Sequence, residues 1–145
     1  MPLPINIQGF RYFNVYGEYE DGKGNQASPV TKFTNQALID ESIMLFEDSE
    51  KYIRDFIYVG DICKVHEQMM SQDVSGIFNI GTGQAESFQK IGKAIAEKYN
   101  VPIKYIPMPN ALAGTYQEFT QANIEKISKY VDIEWTKVED YITNV

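Results

Sequence analysis

The stretch Asn79-Ile80-Gly81-Thr82-Gly83, with Ser87 a few residues on, has the residue types of a phosphate-cradling turn. Close glycines let backbone N–H groups approach an anion, and a helix N-terminus beyond them favours negative charge. A dinucleotide fingerprint needs G-x-G-x-x-G, and the third glycine position is held by Glu86. A carboxylate there would repel the pyrophosphate that such a helix end attracts. The stretch therefore reads as a tight strand-to-helix turn capped by Ser87. Tyr19 and Lys23 offer a second pattern, Tyr-x-x-x-Lys, in which a lysine assists a tyrosine acid/base. That couple needs a helix, where residues four apart share a face. Gly22 and Gly24 flank Lys23 and make the stretch a loop, so the pair is not read as a couple. Arg54 lies within an apolar run, Tyr52 to Val59. A guanidinium there suits a phosphate by bidentate geometry, or else an ordinary ion pair with Asp55 or Glu50. Cys63 and His66 stand three apart on a predicted helix, but two ligands do not make a metal site, and both read as structural.

These side chains need elements to hold them. Residues 7–14 are rich in β-branched and aromatic side chains and predict a strand, ended by Gly17. Residues 17–28 hold three glycines among charges and amides and predict a loop. Ser28-Pro29 predicts a helix start, with the helix running to about Ile39. Residues 43–46 and 52–59 predict strands around a turn at Asp48-Ser49. Asp61 is expected to cap a helix to about Met70, with Ile62, Val65, Met69 and Met70 toward the core. A strand at 76–80, a helix from Ser87 to about Tyr99 and a strand at 103–106 follow, with Phe88, Ile91, Ile95 and Ala96 on one helix face. A Pro/Gly loop spans 107–115, and short helices are expected at 121–130 and 136–143. Strands alternate with helices, so the fold class is α/β.

The net charge is -7, which disfavours nucleic acid and anionic membrane as partners. One cysteine excludes an internal disulfide and fits a reducing compartment. No apolar run approaches the roughly 18 residues of a membrane span, and the N-terminus lacks the charged leader and apolar core of a signal peptide. The expected location is cytoplasmic.

Three segments, GFRYFNVYG (9–17), LFEDSEKYIRDFIYVGD (45–61) and SGIFNIGTGQAESF (75–88), resemble the C-terminal half of an extended short-chain dehydrogenase/reductase. The second, together with DGKGNQAS (21–28), is most similar to the ADP-glyceromanno-heptose 6-epimerase family, and residues 104–127 resemble that family's tail. The resemblance implies part of a Rossmann-type sheet plus a small α/β substrate domain. Residues 1–145 would form a single substrate-binding region, and the NADP-binding half would lie outside it. In such a part the first strand would lack its usual neighbours, and self-association or rearrangement of that segment is expected.

The reaction so implied inverts carbon 6 of the heptose in ADP-D-glycero-D-manno-heptose, a step of lipopolysaccharide core biosynthesis. That carbon bears no acidifying carbonyl, so NADP would remove and return a hydride, with acid/base groups near both faces. By resemblance Lys23 is one such group and also touches the cofactor, as does Val15. Asn14, Asn25, Lys32, Phe46, Glu47, Asp48, Ser49, Arg54 and Tyr116 match substrate-contacting positions, with Arg54 at the diphosphate. Asn25 stands where the family often has serine, Lys32 where it often has histidine, and Asp48 where it usually has glycine. The implied partners are ADP-heptose and further copies of the chain in a homo-oligomer. Two alternatives stay open: another extended short-chain dehydrogenase acting on a UDP- or dTDP-sugar, and a binding module without catalysis.

Overall fold

The structure, a computed structural model, describes residues 5–145. Its element order alternates as the hydrophobic pattern requires. The strands are β1 (Gln8–Tyr12), β2 (Asn14–Tyr16), β3 (Ile43–Phe46), β4 (Ile53–Arg54), β5 (Phe56–Tyr58), β6 (Gly76–Ile80), β7 (Glu86–Ser87), β8 (Ile103–Ile106) and β9 (Phe119–Thr120). The helices are α1 (Pro29–Ile39), α2 (Val59–Met69), α3 (Phe88–Tyr99) and α4 (Val138–Asn144). Three two-stranded sheets are parallel, β1 with β6, β2 with β5 and β3 with β8. A three-stranded mixed sheet has the order β7-β4-β9, with β4 antiparallel to β7 and parallel to β9. The class is α/β, in keeping with part of a Rossmann-type domain.

Two helix starts follow the capping chemistry of the sequence. The Ser28 hydroxyl accepts from Thr31 N at the head of α1, and the Ser87 hydroxyl accepts from Lys90 N at the head of α3. α3 turns Ile91, Ile95 and Ala96 inward, where they pack with Tyr16, Ile43 and Leu45 in one core cluster. Gly92 lets α3 sit close on β3, since a Cβ there would meet Leu45 Cδ2 at 2.9 Å. α2 places Val65 and Met69 in a second cluster with Phe78 and Ile80 of β6.

Five expected elements differ from the sequence pattern. The strand expected at 7–14 is two strands, because the chain changes partner at Phe13. Phe13 N still donates to Ile80 O (3.0 Å), while Asn14 N donates to Asp55 O (2.9 Å). The strand expected at 52–59 breaks at Asp55, whose side chain turns into the Gly81–Gly83 turn. α2 starts at Val59, so Asp61 is not its cap; the carboxylate is fully buried and takes Thr136 N (2.6 Å) and Lys64 Nζ (3.0 Å). Met70 falls past the end of α2 and is 86% exposed rather than core. The helix expected at 121–130 is only a 3-10 turn, Ile127–Lys129, because β9 pairs with β4 and Ala122 N is drawn to Asp55. The terminal helix forms two residues later than expected, as α4. Among the described residues β1 is paired on one side only, with β6, and Tyr12 of β1 and Ile77 of β6 are 49% and 54% exposed.

Candidate functional site

A cavity of about 310 Å³ opens between α1, β3, the start of α3 and the loop before β9. Lys32, Phe46, Ser49 and Tyr116, four of the substrate positions read from the sequence, line it. α1 presents Lys32, the adjacent Phe33 and, one turn on, Gln36, so the helix brings a cation, an aromatic ring and an amide to the same wall. β3 delivers Phe46, and the turn after it buries Ser49 to 2% exposure with no hydrogen-bond partner for its Oγ. A buried hydroxyl without a partner is uncommon and marks a place where a ligand atom would be welcome.

Glu47 and Asp48 are exposed and are not among the residues lining the cavity. Asp48 adopts φ +60, the left-handed conformation that glycine enters freely and aspartate tolerates. The backbone shape expected of a glycine at this position is therefore kept, and the carboxylate pairs with Lys51 at 3.4 Å.

Arg54 makes neither of the ion pairs open to it from sequence. Its Nη1 donates to Ile53 O (2.8 Å) and Glu118 O (3.2 Å), and its Nη2 donates to Gln117 O. The guanidinium is 5.2 Å from the Tyr116 ring centre and 5.6 Å from that of Phe88. Carbonyls and aromatic faces thus hold a buried cation, with no carboxylate paired to it among the described residues, directly behind a cavity wall.

The glycine loop is built round a residue that sequence reading missed. Glu20 is 4% exposed and accepts from Gly17 N (3.2 Å), Ser28 N (2.7 Å), Ser28 Oγ (2.8 Å) and Thr31 Oγ1 (3.0 Å). Lys23 Nζ stands 3.7 Å away, its side chain 47% exposed. Glu20 therefore ties both ends of the loop to the head of α1 and keeps Lys23 alongside. A carboxylate eight residues before an N-cap serine has no local signal, which is why it was not read. Lys32 Nζ donates to Asn25 O (2.7 Å) and so joins this loop to the cavity. Tyr19 points away, 96% exposed, so the Tyr-x-x-x-Lys spacing brings nothing together.

Burial pushes the Glu20 carboxyl up, but the Ser28 N–H and hydroxyl, the Thr31 hydroxyl and Lys23 outweigh it and hold it below its usual 4.5. A carboxyl depressed in the folded state adds stability above its unfolded pKa, and that stability is lost as pH falls through the folded value. Thermal stability should therefore fall on acidification below about pH 4.5. Glu20→Gln should be less stable at neutral pH and show a flatter acid limb in melting curves; an unchanged limb would refute the assignment.

Asn14 and Val15 lie on β2, opposite Phe56 and Ile57. Val15 packs on the Ile57 cluster, and neither residue is among those lining the cavity. The Gly81–Gly83 turn holds an anion, but it is the chain's own. Asp55 Oδ1 takes Thr82 N and Oγ1, both at 2.8 Å, and Oδ2 takes Gly83 N (2.9 Å) and Ala122 N (3.1 Å). With its donors engaged, the turn does not fit a dinucleotide pyrophosphate. A further cavity of about 310 Å³ lies between Lys90 and Trp135, but Lys90 is already paired with Glu86 (2.8 Å) and Glu139 (2.5 Å). His66 is likewise engaged, with Tyr12 Oη at 2.7 Å and the Phe10 ring edge-on at 4.5 Å. No helix among the described residues is long and apolar enough to cross a membrane.

The profile of the NAD dependent epimerase/dehydratase family matches residues 4–81, more than half of the chain. Among solved structures, the chain is similar to the ADP-L-glycero-D-manno-heptose-6-epimerase of Helicobacter pylori, with 31% identity and a TM-score of 0.81 over 94% of this chain and 42% of that one. It is also similar to the UDP-glucose 4-epimerase of Thermotoga maritima, with 28% identity and a TM-score of 0.77 over 94% of this chain and 43% of that one. The UDP-N-acetylglucosamine 4-epimerase of Methanobrevibacter ruminantium shares the fold, with 24% identity and a TM-score of 0.79 over 96% of this chain and 44% of that one. The chain thus spans well under half the length of the proteins it resembles.

Proposed function

The chain belongs to the NAD dependent epimerase/dehydratase family, and from that premise we propose that it is the nucleotide-sugar-binding part of an ADP-glyceromanno-heptose 6-epimerase. The cavity carries this reading, because Lys32, Phe46, Ser49 and Tyr116 share its walls with Arg54 stacked behind Tyr116. An aromatic and aliphatic cavity with a few convergent polar groups suits a flat base, and cations beside it suit the diphosphate. Glu47 and Asp48 flank the base side. Asn14, Asn25 and Lys23 face the sugar, with Lys23 as an acid/base group at carbon 6 and Val15 beside the cofactor. The cofactor is NADP, held mainly by residues other than these, and the assembled enzyme is a homo-oligomer.

The choice of ADP over UDP rests on the Lys23 loop and the 45–61 segment. Isothermal titration of the chain with ADP, UDP and inorganic pyrophosphate tests it. ADP should bind at least about tenfold more tightly than UDP, a difference of about 1.4 kcal/mol. Equal affinity for ADP and UDP, or a preference for UDP, would remove the heptose reading. No preference for either nucleotide over pyrophosphate would remove the nucleotide-sugar reading altogether.

A further inference from the structure

We propose that Gln36 reads the base in this cavity, donating its side-chain N–H groups to a ring acceptor of the bound nucleotide. The inference rests on the nucleotide-binding reading above. Gln36 is half-buried on α1, four residues after Lys32 and on the same face, and it lines the cavity wall. Its Oε1 accepts from Met44 N at 3.0 Å. Only the carbonyl oxygen of an amide can take an N–H, so this bond fixes which way the amide lies. β3 pairs with β8 along one edge, and Gln36 caps an N–H of the other. The Nε2 group is thereby turned from the strand with its two donors, and no acceptor engages it among the described residues.

The other polar groups on the wall divide the work. Lys32 has its ammonium on Asn25 O. The Ser49 hydroxyl is buried without a partner and can both donate and accept. Donors from Gln36 and a hydroxyl from Ser49 match the edge of a nucleobase, where a ring acceptor stands beside an N–H donor. The faces of the same ring would meet Phe33, Tyr52 and Tyr116, and aromatic side chains stack on any base whatever its edge. Ring stacking holds a base of any kind in place, while the Gln36 amide requires an acceptor at one edge.

A residue that only capped the strand would leave ligand binding untouched, so two variants separate the roles. Gln36→Glu keeps an oxygen for Met44 N but has no donor. Gln36→Met keeps the length and loses both functions. The quantity to measure is the ratio of ADP to pyrophosphate affinity in the full chain by isothermal titration, which cancels the added charge of the glutamate. Melting temperature is recorded alongside. The expected result is a ratio reduced about tenfold in both variants, the worth of about one hydrogen bond, with Gln36→Glu melting near the parent. An unchanged ratio in Gln36→Glu, with a lower melting temperature in Gln36→Met, would make Gln36 a strand cap only and overturn the proposal. A parent chain that prefers ADP to pyrophosphate while both variants keep that preference would overturn it and leave the nucleotide reading standing. A parent with no preference would overturn both.

Discussion

Asp55→Ala should leave the chain unable to hold its fold, with a loss of about 4 kcal/mol or more. Asp55 is completely buried, and its two oxygens take three backbone N–H groups and one hydroxyl. Each buried donor stripped of its acceptor costs roughly 1–3 kcal/mol. Three orphaned N–H groups therefore approach the whole stability of a small domain, roughly 5–15 kcal/mol. The cost is concentrated because the carboxylate joins distant pieces of chain, the end of β4, the turn after β6 and the segment after β9. Asp55→Asn should fare little better. Whichever way its amide lies, an N–H must face an N–H donor. Gly81→Ala should act through the same contact, since its Cβ would stand 2.8 Å from Asp55 Oδ2 and 2.6 Å from Ala122 Cβ. Urea unfolding followed by circular dichroism measures all three against Asp40→Asn, an exposed control. An Asp55→Asn midpoint equal to that of the control would show that the carboxylate does not organise the turn.

Asp55 also marks the boundary between what is legible in the sequence and what is not. α1, β3, α3, β6 and β8 follow their hydrophobic periods and caps, because those signals act within a few residues. The breaks within 7–14 and 52–59 have no local cause. Both runs are rich in β-branched and aromatic residues on either side of the break, and they divide because a buried carboxylate at position 55 requires donors from residues 82, 83 and 122. The reading of Gly81–Gly83 as a structural turn follows from Glu86 alone, yet the anion inside it is visible only in three dimensions. The site shows the same division. Lys32, Phe46, Ser49 and Tyr116 share one cavity, though 84 positions separate the first from the last. Glu20 and Gln36 were missed because each works through a backbone N–H supplied by another element. A glutamate in a polar loop and a glutamine on a helix carry no mark of such a duty.

The isolated chain should show no epimerase turnover and no NADP affinity measurable by fluorescence titration. The Gly81–Gly83 turn is filled by Asp55, and Val15 is partly buried against the cluster around Ile57. Reaction at a sugar carbon needs the reacting atoms held within about 3–3.5 Å, and loose binding of two partners does not achieve that. Supplying the N-terminal half of a heptose epimerase, joined to the chain or mixed with it, should restore both properties. In that restored enzyme Lys23→Ala should lower kcat by about 10²–10⁴-fold, the usual worth of a general acid/base, with a much smaller change in KM. The geometry supports this asymmetry. Lys23 sits outside the cavity lined by Lys32, Phe46, Ser49 and Tyr116, on a loop that Glu20 anchors through Ser28 and Gly17. Removing its ammonium therefore leaves the cavity lined by Ser49 and Tyr116, and Arg54 behind it, in place. Lys23→Arg keeps the charge but not the compact ammonium, so it should keep binding without turnover. Tight NADP binding by the chain alone, or normal turnover by the restored Lys23→Ala enzyme, would show that these roles are misassigned.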